Sequence, residues 1–165
     1  MLPKLIITDI DGVWTDGGMY YTDSGDFMKR FTVADGWGVA FCRRSGIPVA
    51  IMTGENMSIV KRRADKLNIE KVYLGVTDKL TLATNLCQEM GIELKDVAFI
   101  GDDLNDLALL RRVGFSASPA DAYPLVRSKV NYVTEKRGGE GAFREFVEKI
   151  LADNDLLEAL YEKYY

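Results

Sequence analysis

Leu5-Ile6-Ile7-Thr8-Asp9-Ile10-Asp11-Gly12 is the stretch on which the fold turns. Leu5–Ile10 is a short, largely apolar run of the kind that forms a strand buried on both faces. Strand alternation turns Asp9 and Asp11 to the same side, at the carboxyl end of that strand. Two carboxylates emerging together repel one another unless a cation or a shared proton holds them. One can act as nucleophile on phosphorus while the other handles the proton of the leaving oxygen. An Asp-x-Asp-Gly string is also what an ordinary turn uses, so both readings stand at this point.

Working outward, Val49–Met52, Lys71–Leu74, Val97–Ile100 and Phe115–Ala117 repeat the short apolar pattern of strands. Between them Trp37–Ser45, Met57–Leu67, Leu80–Met90, Asn105–Arg112 and Gly141–Leu151 have helical periodicity, with Gly46, Gly91 and Gly114 near C-terminal caps. The alternation predicts an α/β fold with a doubly wound parallel sheet, covered by helices on both faces. Ligands of such sheets sit beyond the carboxyl ends of the strands. Residues 18–32 break the rhythm. There Met19-Tyr20-Tyr21 and Phe27-Met28-Lys29-Arg30-Phe31 flank a polar turn and predict a small β-hairpin insertion. Residues 1–165 are expected to form one domain, ending in a tail over 152–165. In that tail Leu156, Leu157, Leu160, Tyr161 and Tyr164 could line one helical face, packed on the same domain or on a neighbouring subunit.

Composition removes several classes of chemistry. The 165 residues contain no histidine, which excludes Ser-His-Asp and Cys-His catalysis and most zinc sites. Cys42 and Cys87 are the only cysteines and lie in helix-like segments, so they read as small buried apolar residues in a reducing, cytoplasmic compartment. Metal and acid–base chemistry must therefore rest on carboxylates, which suit magnesium. A net charge of −4 argues against a nucleic-acid partner. No apolar run approaches the ~20 residues of a membrane span.

Three more strand ends carry polar groups suited to phosphate. Gly101-Asp102-Asp103-Leu104-Asn105-Asp106 follows the fourth strand with three carboxylates in five positions, from 102 to 106. These acids could simply cap and lead a helix. If the sheet is parallel, however, Asp102 converges on Asp9 and Asp11, and an oxygen-ligated magnesium would offset their repulsion. Thr53-Gly54 offers a hydroxyl and free amides at a helix start, either a phosphate seat or a plain cap. Lys79 opens the next helix, where a cation is unfavourable, so it either answers nearby negative charge or is solvated.

The succession Asp-x-Asp, Thr, Lys, Gly-Asp-Asp, each after an apolar strand, resembles the haloacid dehalogenase superfamily of phosphotransferases. The resemblance runs from Leu5 to about Leu151. It implies Asp9 as nucleophile and Asp11 as acid and then base. It further implies Thr53 and Lys79 as holders of the phosphoryl oxygens, and a magnesium on Asp9, the Asp11 backbone carbonyl and Asp102. Asp103 and Asp106 would support that metal site.

The gaps between motifs leave no room for a cap domain. The chain is in this respect similar to the capless tetrameric branch acting on 2-keto-3-deoxy sugar-acid phosphates. The match includes Asp11–Gly17, Thr77-Asp78-Lys79, Ser118–Ala122 and Gly138-Gly139-Glu140-Gly141 with Arg144-Glu145. That similarity implies a homotetramer in which a neighbouring subunit covers the site, helped by an exposed hairpin bearing Met19, Tyr20, Tyr21, Phe27 and Phe31. It implies a small sugar phosphate as substrate. Members hydrolyse 3-deoxy-octulosonate (KDO) 8-phosphate or 2-keto-3-deoxy-nononate (KDN) 9-phosphate, the latter of sialic-acid type. The octulosonate pattern usually has arginine where this chain has Glu55 and Glu140. Glu55 with Lys66 looks like the nononate arrangement, so KDN 9-phosphate is the expected substrate and KDO 8-phosphate the alternative. Glu55 and Lys66 could equally be a first-turn acid and a solvated lysine. A signalling receiver domain and a catalytically silent interaction module are the rivals of other classes. The receiver gathers its acidic pair near the first strand and accepts phosphate on a later one, the reverse of the order here.

Overall fold

The structure, a computed structural model, describes residues 2–164, with Asp26 and Phe27 described by backbone alone. In chain order the elements are β1 (Leu5–Thr8), the hairpin β2 (Tyr20–Thr22) and β3 (Gly25–Met28), α1 (Val33–Arg44), β4 (Val49–Met52) and α2 (Ser58–Lys66). Then follow β5 (Lys71–Tyr73), α3 (Lys79–Met90), β6 (Val97–Ile100), α4 (Leu107–Leu110), β7 (Phe115–Ser118), α5 (Pro124–Arg127), β8 (Tyr132–Val133), α6 (Ala142–Ala152) and α7 (Leu157–Tyr161).

Six strands form one parallel sheet in the order β5-β4-β1-β6-β7-β8. β1 sits in the middle and is buried at every residue, which is why its sequence is nearly continuous apolar. Its side chains divide by alternation. Ile6 joins a core with residues of α1, α2 and α6, whereas Leu5 and Ile7 join a second core with residues of α3 and α4. The chain leaves β1 toward β4 on one side and later returns to β6 on the other. The carboxyl end of β1 therefore lies at the switch point, where a crevice forms between diverging connections.

Several boundaries differ from the sequence reading, each for a local reason. β1 stops at Thr8 rather than Ile10, because the amides of Val13, Trp14 and Thr15 all turn back to the Ile10 carbonyl. α1 begins at Val33 rather than Trp37, since the Thr32 hydroxyl accepts from the Ala34 amide and caps it. The segment expected as a helix over Asn105–Arg112 is a 3-10 turn at Leu104–Asp106 followed by the short α4. α5 and the two-residue β8 were absent from the sequence reading, being too short to establish a period.

Among the described residues the hairpin pairs only with itself, around Asp23-Ser24. Tyr20, Tyr21 and Met28 are exposed on it. Phe31 differs from the expectation: it is half-buried and packs on the main core. The Phe27 side chain, expected on the exposed face, lies outside the described residues. The C-terminal segment folds back on its own chain. Leu160 is buried, and Tyr161 and Tyr164 meet Phe41 and Trp37 of α1 at ring distances of 5.9 and 5.3 Å. Tyr165 lies outside the described residues. No helix among the described residues is long and apolar enough to cross a membrane.

Candidate active site

Three loops leave the carboxyl edge of the sheet side by side and line one cleft of about 430 Å³, and a fourth brings Lys79 against Asp9. Asp9, Asp11, Gly12, Thr53, Gly54, Glu55 and Asp102 line the cleft, together with Gly17, Asp103, Leu104 and Asn105. Asp9 is the first residue beyond β1 and stays in register through its amide, which donates to the Ile100 carbonyl at 3.0 Å. Its Oδ1 accepts from the Ile10 amide at 2.8 Å, and its Oδ2 meets Lys79 Nζ at 2.9 Å. Asp9, Asp102 and Asp106 each offer a carboxylate oxygen within 4.8 Å of the others.

Lys79 is the first residue of α3, whose N-cap is Asp78, accepting from the Thr81 amide at 3.0 Å. A cation there opposes the helix dipole, and the lysine is only 2% exposed. Its compensation is the pair of acids on either side, Asp9 and, at 2.5 Å, Asp106. Burial works against the ammonium, but the Asp9 and Asp106 carboxylates outweigh it and hold its pKa above the ordinary lysine value.

The acids after β6 divide into distinct tasks. Asp103 is exposed and caps the 3-10 turn, with its Oδ1 accepting from the Leu104 amide at 2.7 Å. The capping explanation thus holds for Asp103, and Asp106 shares in it, its Oδ2 accepting from the Asp103 amide at 3.4 Å. Asp106 is fully buried, with Oδ1 on Lys79 and Oδ2 accepting from the Asp102 amide at 3.0 Å. Both its oxygens are engaged, so it orients Lys79 and the loop that carries Asp102. Gly101 makes this possible, because a Cβ there would sit 2.5 Å from the Asp106 carboxylate carbon. Asp102 faces the cleft with fewer partners. Burial, then the charges of Asp9, Asp106 and Asp103, raise its pKa from 3.8 to about 8. Burial and then Asp106 raise that of Asp9 as well, against the opposing pull of Lys79. Two acids whose ionisation is this unfavourable, sharing a cleft wall, are a donor set for a hard divalent cation.

The Asp11–Gly17 loop is held from behind. Gly12 has φ +81°, and a Cβ there would lie 2.0 Å from Asp102 Oδ2. A Cβ on Gly138 would lie 2.1 Å from the Gly12 carbonyl oxygen, and the Gly139 amide donates to the Val13 carbonyl at 3.1 Å. The Gly138–Gly141 segment is therefore close-packed backbone behind the aspartate loop rather than a free turn. The Gly138 amide also donates to Asp121 Oδ1 at 2.9 Å, tying the Ser118–Ala122 loop into the same support.

Thr53 is buried, its amide donating to the Tyr73 carbonyl at 3.1 Å. The expected helix start beside it is displaced. α2 begins at Ser58, so Gly54 and Glu55 belong to a loop, and the Glu55 amide lies 3.4 Å from Thr53 Oγ1. Glu55 is exposed on the cleft wall. Lys66 is not brought with it. It is the exposed last residue of α2, about 12 Å along the helix from Ser58 at ~1.5 Å per residue.

One functional neighbour was not singled out in the sequence. Lys29, directly after β3, places Nζ on Asp11 Oδ1 and 3.6 Å from Met19 Sδ, with its side chain 1% exposed. A buried lysine is unusual enough to mark, but a lysine in a polar hairpin sequence gives no sign of being buried.

Residues 68–145 match the model of the haloacid dehalogenase-like hydrolases. The 3-deoxy-D-manno-octulosonate 8-phosphate phosphatase KdsC of Yersinia pestis is 41% identical over 94% of this chain and 83% of its own length. The 3-deoxy-D-manno-octulosonate 8-phosphate phosphatase of Moraxella catarrhalis, solved in complex with magnesium, phosphate and KDO, superposes with a TM-score of 0.95 at 39% identity. It covers 99% of this chain and 94% of that one. The cobalt-bound deoxy-D-mannose-octulosonate 8-phosphate phosphatase YrbI of Haemophilus influenzae reaches a TM-score of 0.91 at 36% identity, over 94% and 91% of the two chains. With the Asp9, Thr53, Lys79 and Asp102 loops converging at one sheet edge, this chain belongs to the haloacid dehalogenase-like hydrolase family.

Proposed function

We propose that this phosphatase hydrolyses the phosphomonoester of a 2-keto-3-deoxy sugar acid, KDO 8-phosphate, through a phospho-aspartate on Asp9. The observation that carries the chemistry is the carboxylate of Asp9, seated between Lys79 and Asp102 at the switch point of the sheet. Asp9 attacks phosphorus in line as the bond to the sugar oxygen breaks, and Asp11 gives that oxygen a proton. Water then attacks the aspartyl phosphate and returns its proton to Asp11, releasing phosphate and Asp9. Thr53 and the Gly54 loop hold phosphoryl oxygens on one side and Lys79 on the other, so that positioning and charge supply the catalysis. Asp9, the Asp11 backbone carbonyl and Asp102 would hold magnesium, which when bound neutralises charge on the carboxylates and the transferring group.

The raised pKa values set a test of the metal. A carboxyl group whose pKa is raised on folding stabilises the fold while protonated, and that contribution is lost as pH climbs through the folded value. Asp102 thus costs the cation-free protein stability between about pH 4 and pH 8. Magnesium competes with those protons and relieves the repulsion. Its addition is expected to raise Tm more at pH 8 than at pH 5.5. An equal shift at both pH values would count against carboxylate ligation.

The eight-carbon substrate is supported by the relatives, which are named for it at 39–41% identity over most of the chain. It takes precedence over the KDN 9-phosphate expectation. The latter retains one specific observation, Glu55 on the cleft wall, while its companion Lys66 lies at the far end of α2. Measuring kcat/KM for KDO 8-phosphate, KDN 9-phosphate and N-acetylneuraminate 9-phosphate together decides between them. The expected outcome is a preference for KDO 8-phosphate of about tenfold or more, or about 1.4 kcal/mol. A comparable preference for a nine-carbon acid, abolished by Glu55→Ala, would reverse the assignment.

Among the described residues the cleft is lined by the loops at the sheet edge, with Gly17 as its contact toward the hairpin. Closure by a neighbouring copy in a homotetramer is part of the proposal, supported by the exposed Tyr20, Tyr21 and Met28 on the hairpin.

A further inference from the structure

We infer that Lys29 of the hairpin is a positioning residue for Asp11, so that the hairpin sets the proton-transfer geometry of the cleft. The inference rests on the reading of Asp11 as the group that exchanges a proton with the ester oxygen. Lys29 stands 18 residues from Asp11 in sequence and meets it from a different element. Its side chain is 1% exposed, and Asp11 Oδ1 is its carboxylate partner among the described residues. Burying a lysine stem and ammonium is costly unless the charge is matched, so this contact fixes both partners. Thr15 Oγ1 stands 3.4 Å from the same oxygen, and Met19 Sδ closes the other side of the ammonium at 3.6 Å.

Asp11 Oδ2, in contrast, is buried with no hydrogen-bond partner among the described residues. One oxygen is clamped and the other is left over. A carboxyl group held in this way cannot rotate to exchange its oxygens without breaking the Lys29 contact. The Lys29 contact therefore fixes the orientation of the Asp11 carboxyl that exchanges a proton. When the phosphorus–oxygen bond breaks, the electron pair leaves on the ester oxygen, which takes the proton of the Asp11 carboxyl. The carboxylate that results is matched by the Lys29 ammonium already in place. In the second half of the reaction the same carboxylate recovers a proton from the attacking water. Lys29 touches neither substrate nor the transferring phosphoryl group in this scheme.

The leaving group separates this role from a merely structural one. A poorly basic aryl oxide departs without a proton, whereas an alkoxide needs one. In a single turnover, which reads the phosphorylation of Asp9 apart from the later hydrolysis shared by all substrates, Lys29→Met is therefore expected to release p-nitrophenolate within about threefold of the wild-type rate, while losing on the order of 10²-fold in the same step with an alkyl sugar phosphate. Asp11→Asn is expected to show the same selectivity, and adding Lys29→Met to it should change nothing further. Lys29→Gln and Lys29→Arg, which keep a donor, should fall between wild type and Lys29→Met, and they carry the comparison if Lys29→Met does not fold. Equal losses on both substrates, no loss on either, or additive losses in the double variant would overturn the positioning role. Failure of the underlying reading has a different signature: a wild-type protein that releases phosphate from neither substrate, or an Asp11→Asn protein blind to the leaving group.

Discussion

The Asp9→Asn protein is expected to fold and to release phosphate at a rate reduced on the order of 10⁴-fold or more. The substitution keeps the shape of a side chain that is 6% exposed and seated against Lys79. It removes one of the carboxylates that oppose the ionisation of Asp102, while Lys79 retains Asp106 at 2.5 Å. The fold therefore loses little, and the melting temperature should stay near that of wild type. What disappears is the proposed nucleophile. An amide oxygen is a poor attacking group, no histidine or cysteine lines the cleft, and the other carboxylates there, Asp11, Glu55, Asp102 and Asp103, leave from different positions on its wall. Two measurements check this, steady-state phosphate release and acid-quenched mass spectrometry of the protein. A phosphorylated species in wild type, absent from Asp9→Asn, supports the assignment. Turnover in Asp9→Asn within tenfold of wild type would remove Asp9 from the reaction.

Lys79→Met should damage both stability and rate, in contrast to Asp9→Asn. Lys79 is the cation between two buried acids, and methionine fills its volume while leaving Asp9 and Asp106 facing each other. Removing one partner of a buried charged group costs about 3–5 kcal/mol. The loss should be visible as a lower urea midpoint with an unchanged slope. Its pH dependence carries a definite sign. The penalty is largest where the acids are ionised and shrinks as the solution is acidified, because protonation neutralises them. Catalysis should fall by a further 10²–10³-fold in the fraction that folds, on the order found when a charge-stabilising donor is removed. Magnesium, which Asp9 would help to hold, should offset that one of the two charges and recover part of the stability but not the rate. A variant as stable as wild type at pH 8 without magnesium would show that the 2.9 and 2.5 Å contacts carry little energy.

Most of the sheet was legible because its signal is local. An apolar run such as Leu5–Ile7 or Val97–Ile100 reports burial on both faces of its own strand, and four such runs followed by polar residues imply four loops at one edge. The same logic explains what was missed. β8 has two residues and α5 four, too few for any period to register. The start of α1 was placed late because Val33–Gly36 mixes an exposed valine, an acid and a glycine, and the turn is held by the Thr32 cap and by Asp35. Asp35 Oδ1 accepts from the Arg144 amide at 3.1 Å, at the start of α6, whose own N-cap is a glycine without a side chain.

The candidate site shows the same division. Spacing along the chain was enough to put Asp9, Thr53, Lys79 and Asp102 at neighbouring strand ends, since each follows an apolar run and parallel strands all end on one edge. It could not say that Asp103 would cap a turn while Asp106, three residues on, would lie buried against Lys79. Nor could it separate Glu55 on the cleft wall from Lys66 at the opposite end of α2, because helix length becomes distance only after the helix is laid on the sheet. The Lys29–Asp11 contact and the packing of Gly138 behind Gly12 depend on how loops from separate elements meet. Periodicity records the surroundings of each residue along its own element. Contacts between elements exist only once burial of the apolar faces has brought those elements together.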